Sequence, residues 1–174
     1  PDDLTALCLT FAARMLHMAG LGTEADCRAR AEGSIRNGAA AEKFRAFLEA
    51  QGGDFRAVEQ PERFYPAPRC RVIEAERDGW FAVRSAETVG KASVSLGAGR
   101  LRKEDAIDYM AGIVFACAPG EAVAKGQPLC TLYAADAARI NEGEAILREA
   151  LDVREDAPAG EALILDVVDK NSLK

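Results

Sequence analysis

Residues 96–108 read LGAGRLRKEDAID and residues 112–133 read GIVFACAPGEAVAKGQPLCTLY; these two strings decide the fold. In the second, short apolar runs at 112–116 and 129–133 are separated by Pro119-Gly120 and Gly126-Gln127-Pro128. Apolar runs this short, bounded by glycine and proline, are the pattern of β-strands joined by tight turns. In the first string, Gly97 closes a segment that begins at Ser85. Ala86, Val89, Ser93 and Leu96 recur at helical spacing, Ser85 is a good N-cap and glycine a good stop, so a short helix is predicted there. Upstream, strands at 70–75 and 80–83 flank Asp78-Gly79, a hairpin signal. Downstream, Ile140, Ala145, Ile146, Leu147 and Leu151 make 135–151 an amphipathic helix. A closing strand is predicted at 163–168 and a frayed end at 170–174.

The first third is helical. From Leu4, the apolar positions Leu7, Cys8, Phe11, Met15 and Met18 keep the three-and-four spacing of one buried helix face. Asp2 or Asp3 can cap its start, and Gly20 and Gly22 stop it. Thr23 offers a cap for a second helix that runs toward Ile35 and breaks at Asn37-Gly38. A third carries Phe44, Phe47 and Leu48 on one side and Glu42, Lys43, Arg45 and Glu49 on the other, ending at Gln51-Gly52-Gly53-Asp54. Pro61, Pro66 and Pro68 then predict a non-helical connector, since each lacks a donor and biases its predecessor toward extended geometry. The organisation expected is α+β: a helical segment over 1–54, a connector over 55–68 and a β-rich domain over 69–174.

Composition narrows the function. The 174 residues are 49% hydrophobic and 29% charged, with 22 basic against 28 acidic side chains and a net charge of −6. That is a globular composition. Net acidity argues against a sequence-independent grip on nucleic acid or a membrane surface, both of which need clustered Lys and Arg. No apolar run approaches the roughly 20 residues of a membrane span, and the start lacks a signal-peptide pattern. Cys8, Cys27, Cys70, Cys117 and Cys130 are odd in number and form no C-x-x-C pair, so they read as small buried hydrophobes in a reduced, cytoplasmic chain. A first residue of proline, directly at a helix, predicts a piece of a longer protein.

Catalytic constellations are scarce. His17 is the sole histidine, so a Ser-His-Asp triad could form only around it, and a solvated helix residue is the simpler reading. Residues 96–100 have glycines two apart, but Arg102 stands where G-x-G-x-x-G needs its third glycine, and no G-K-[ST] occurs. A helix stop and tight turn explains them as well. Glu104, Asp105 and Asp108 read as a solvated charged run rather than acid/base groups. The order Glu87-Thr88-Val89-Gly90-Lys91-Ala92 has some likeness to a lipoyl-lysine motif, and the hairpins resemble those of biotinyl and lipoyl carriers. Lys91, however, falls on the capped helix rather than on an exposed hairpin tip, and it precedes the hairpins.

Taken together the motifs resemble the C-terminal part of the pyrimidine nucleoside phosphorylases. The residues that carry the likeness are Asp3-Leu4-Thr5, Asn37-Gly38-Ala39, Phe44, Gln51-Gly52-Gly53-Asp54, Pro66-Ala67 and Val89-Gly90-Lys91-Ala92. Above all they are Leu96-Gly97-Ala98-Gly99-Arg100 with Lys103-Glu104-Asp105-Ala106-Ile107-Asp108, then Gly112-Ile113 and its G-x-x-V-x-x-G-x-x-L continuation. Ala111 departs from the valine common in the family. The resemblance implies a parent enzyme that converts a pyrimidine nucleoside and phosphate to the free base and a (deoxy)ribose 1-phosphate. It also implies a homodimer of two-domain subunits, with residues 69–174 built as an α/β hammerhead of barrel-sandwich type and 1–54 as part of the parent α/β domain.

The resemblance implies that the family's phosphate loop, base-binding residues and active-site histidine lie in its N-terminal half, and that some bacterial members hold a potassium ion just upstream of where this chain begins. No catalytic, substrate-binding or metal residue is therefore assigned here, and no cofactor is expected beyond phosphate as the parent's co-substrate. The expected partner is the parent's N-terminal half, with no nucleic acid and no membrane. Gly97, Gly99, Arg100, Arg102 and Lys103 are expected to form a loop that moves on domain closure. Two alternatives stay open: an autonomous biotinyl- or lipoyl-like carrier domain, and the C-terminal region of a nucleoside monophosphate phosphorylase.

Overall fold

The computed structural model describes residues 2–64, 68–100, 102–159 and 162–168. The chain divides into two units, residues 1–64 with 161–174 and residues 65–160. Helices pack against antiparallel sheets in the second unit and against each other in the first, an α+β architecture.

The first unit contains α1 (Asp2–Met18), α2 (Glu24–Arg36) and α3 (Ala39–Ala50). Their ends follow the local chemistry. Asp3 Oδ1 accepts from Leu4 N at 2.7 Å. Thr23 and Asp26 form a reciprocal capping box at the start of α2. Asn37 and Gly38, the latter at φ +81°, separate α2 from α3. α1 packs on α2, and the buried residues of the pair are Leu9, Ala13 and Cys27. The stripe expected to be buried is instead solvent-facing: Leu4 and Phe11 are 56% exposed, Met15 60% and Met18 78%. The small Ala13 lets α2 approach along a neighbouring flank, which leaves the larger side chains uncovered.

Two further corrections concern this unit. The connector is partly helical, with α4 (Arg56–Glu59) and α5 (Pro61–Phe64). Pro61 occupies the first position of α5, where no backbone donor is needed. Phe55 anchors the stretch, 9% exposed, with Phe44 edge-on at 5.9 Å and the Arg45 guanidinium 4.1 Å from its ring centre. The strand predicted at 163–168 is absent: described residues 162–168 are bends and irregular chain, all exposed. A strand exists only through a paired neighbour, and none of the described strands pairs with it.

The second unit holds two three-stranded antiparallel sheets. One has the order β1 (Arg69–Glu74), β5 (Pro128–Ala134), β3 (Gly112–Phe115); the other β4 (Ala122–Val123), β2 (Gly79–Val83), β6 (Leu151–Arg154). The predicted hairpin across Asp78-Gly79 does not form, because β1 pairs with β5 and β2 pairs with β4 and β6. Asp78-Gly79 is instead the point where the chain passes between sheets. Asp78 Oδ1 accepts from Lys125 N at 2.7 Å, and Gly79 lies so close to Val153 and the Arg154 carbonyl that a Cβ would collide with both.

The first sheet lies under α6 (Ala86–Ser93) and α7 (Ala137–Ala150), with Ile73, Ala92, Leu96, Cys130, Leu132, Ala134, Ile140 and Leu147 as its core. Ala75, Phe81, Cys117, Val123, Leu129 and Val153 form a second core, and Leu151 packs against both. The cysteines divide. Cys27, Cys117 and Cys130 are buried as expected, whereas Cys8 and Cys70 are exposed, Cys70 on edge strand β1 where only Ile73 is covered. Burial pushes the Cys130 thiol up to about 11 and raises that of Cys117. Among the described residues no helix is long and apolar enough to cross a membrane.

Candidate functional site

The segment singled out by sequence forms one lip of a groove of about 980 Å³, whose other walls are α6 and α7. Ser85 starts that wall, its Oγ accepting from Thr88 N at 3.1 Å. After Ser93 the helix continues into a wide π-type turn, Val94–Ala98, where Gly97 takes φ +114°. A side chain there would be strained, and its Cβ would stand 3.0 Å from Arg139 Nη1 and 3.3 Å from Asp108 Cβ. Glycine is thus needed at Gly97 for both backbone and space.

Backbone and carboxylate bonds then tie the loop down. Asp108 N donates to Gly97 O at 2.9 Å, and Asp108 Oδ1 accepts from Met110 N at 2.9 Å. Arg102 N donates to Asp105 Oδ2 at 2.8 Å. Asp105 and Asp108 therefore act as turn-forming groups rather than acid/base groups.

The five candidate residues separate. Gly97 is buried beneath the groove, and Gly99 and Arg100 line it. Arg102 and Lys103 are exposed on the turn beyond and do not line it. Lys91 sits on α6, paired with Glu87 at 2.7 Å; the pairing raises the ammonium pKa and lowers that of the carboxyl. A paired helix lysine is not presented as a carrier lysine on a hairpin tip would be. His17 lies in the other unit, exposed, with Nδ1 2.8 Å from Gly22 O, where it helps close the end of α1. Among the described residues no group of three His, Cys, Asp or Glu can hold a metal ion.

Sequence reasoning missed half of the groove. Arg139 and Glu142 come from α7, and Ser95, whose buried Oγ has no partner among the described residues, comes from the π-type turn. The available signal was Gly143, a glycine in mid-helix: a Cβ there would lie 2.6 Å from Leu96, so α7 and the segment after α6 must touch at that point. Chemically the groove balances Lys91, Arg100 and Arg139 against Glu87, Asp105 and Glu142. Its described lining residues include neither a histidine nor a cysteine, and its charged side chains offer polar contacts of both signs.

A second set of charges is structural. Asp152, its side chain 16% exposed, forms an ion pair with Arg84 at 3.1 Å and lies 3.7 Å from Arg154 and 3.9 Å from Arg77. Glu144 is equally covered and meets Arg71 at 2.6 Å and Arg148 at 2.8 Å. These arginines hold the Glu144 carboxyl below the usual carboxylate range, the Arg71 hydrogen bond being the main cause.

Residues 81–154 match the family model described as the pyrimidine nucleoside phosphorylase C-terminal domain. The chain is similar to the pyrimidine-nucleoside phosphorylase of Bacillus subtilis (strain 168), 40% identical over 135 residues, and to that of Geobacillus stearothermophilus, 37% identical over 134. These alignments take in 77% and 76% of this chain but only 31% of each relative, so the chain spans about a third of the length of the curated relatives it matches.

Proposed function

Residues 81–154 belong to the pyrimidine nucleoside phosphorylase C-terminal domain family, and from that premise we propose that the chain is the C-terminal part of a pyrimidine nucleoside phosphorylase, a scaffold and closing element rather than the seat of the reaction. The observation that carries this reading is identity of 37–40% across three quarters of the chain to proteins of that name, of which it matches only 31%. The parent reaction would transfer a pentosyl group from a pyrimidine nucleoside to phosphate. Phosphorolysis depends on holding phosphate, sugar and base in register while charge develops, and the groove described above offers cations and carboxylates without a built pocket for all three. The contribution proposed for this chain is the 96–108 loop with Arg100 on the groove's rim, which orders against the parent's opposing domain when the two domains close and excludes water.

Incubating the purified 174-residue chain with thymidine or uridine and inorganic phosphate tests the first part. No base release above blank is expected, and release that survives repurification would overturn the reading. For the loop, Arg100→Ala in the full-length enzyme is expected to lower kcat/KM about tenfold with Tm nearly unchanged. Lost stability with intact kinetics in the surviving fraction would make Arg100 structural.

A further inference from the structure

The groove between α6 and α7 carries positive charge that its own contacts leave unused. Of its acidic side chains, Glu87 is taken up by Lys91 at 2.7 Å, and Asp105 accepts from Arg102 N at 2.8 Å within the turn. Arg100 and Arg139 line the same groove, and among the described residues neither guanidinium has an ion pair or a hydrogen bond. Glu142 lies one turn along α7 from Arg139 without pairing with it. Arg139 is placed by the π-type turn, its Nη1 standing 3.0 Å from where a Cβ on Gly97 would be. Ser95 of that turn has a covered hydroxyl with no partner among the described residues. A covered, unpaired hydroxyl is costly, and turning it toward an acceptor in the groove relieves that cost. At about 980 Å³ the groove has the size of a small-molecule site.

We propose that this groove binds a phosphoryl dianion, free or carried by a pentose, between the Arg100 and Arg139 guanidiniums, with the Ser95 hydroxyl turned to donate to it. Guanidinium groups suit phosphate because their paired N–H donors match two of its oxygens. Glu142 is an acceptor beside them, suited to the hydroxyls of an attached sugar. The site uses residues of this chain alone and does not depend on the closing role given to Arg100.

Calorimetric titration of the 174-residue chain at low salt with inorganic phosphate, ribose 5-phosphate and ribose tests this. A Kd below about 1 mM is expected for at least one of the two phosphates, and no binding for ribose. Arg139→Ala and Arg100→Ala should each weaken binding at least about tenfold. Arg102→Ala, on the exposed turn beyond the groove, should change it less than about twofold. Arg139 and Arg100 are exposed, so both variants should keep the Tm of the unsubstituted chain. Ser95→Ala should weaken binding without lowering Tm, since it removes an unpaired hydroxyl. Ribose 5-phosphate binding more tightly than phosphate identifies a pentose phosphate as the ligand, and binding no more tightly identifies free phosphate; either supports the site. Three outcomes would each overturn it: no binding of either phosphate, equal losses in R102A and R139A, or ribose binding as tightly as its phosphate.

Discussion

Glu144, a half-covered carboxylate on α7, is held between two arginines. Its two oxygens meet Arg71 and Arg148, and Arg71 also donates to Asn141 Oδ1 at 2.8 Å, which joins α7 to edge strand β1. Because its folded pKa lies below the ordinary value, the ionised form is favoured by folding. That stability is complete above the unfolded glutamate pKa of about 4.3 and is lost as pH falls through it toward the lower folded value. Glu144→Gln is therefore expected to cost about 1–2 kcal/mol at pH 7, by analogy with other charge-assisted bonds in partly covered sites. It should also flatten the fall in stability between about pH 5 and pH 3. Urea unfolding at a series of pH values checks this; a variant with the same acid sensitivity as the parent would show that Glu144 is not a source of it.

At the scale of elements, α6 and α7 meet where Leu96 enters the space left by Gly143. The two glycines of this helix pair differ in sign. Gly143→Ala would place a methyl 2.6 Å from the fully buried Leu96, and overpacking of about 1–3 kcal/mol should outweigh the helix-propensity gain of about 1. Gly90 in α6 has open space at its Cβ, so Gly90→Ala should stabilise by about 0.5–1 kcal/mol. Urea midpoints moving in opposite directions would confirm the pair, and equal shifts would exclude a close contact at Gly143.

Across the whole molecule, burial is uneven. Leu9, Ala13, Cys27 and Phe55 are the buried apolar residues of the first unit among those described, whereas the second unit has two full clusters around Phe81 and Leu132. Stability follows apolar burial, and local opening follows its lack. Residues 2–64 are expected to exchange their amides faster than 68–159 in the free chain and to lose structure at a lower temperature. Hydrogen exchange read by mass spectrometry decides this, and slower exchange in α1 than in β5 would contradict it.

The sequence by itself determined the elements whose causes are local. α1 to α3, the Thr23 and Ser85 caps and the Gly97 stop all follow from residues within one turn of each other. The LGAGR and EDAID strings pointed to the family that residues 81–154 match. Tertiary structure decided everything that depends on a distant neighbour. Asp78-Gly79 reads as a hairpin in any window, but the partners of β1 and β2 lie about 40–75 residues away, and their pairing turns the dipeptide into a crossing between sheets. The stripe of Leu4, Phe11 and Met15 has the period of a buried face, yet burial is a property of what packs there, and α2 covers Leu9 and Ala13 instead. Cys8 and Cys70 are exposed for the same reason, one on that helix and the other on an edge strand. Arg139 reaches the groove from 39 positions beyond Arg100, a meeting that only the packing of α7 on the turn at Gly97 creates. Periodicity records which side of an element is apolar; only folding determines what that side meets.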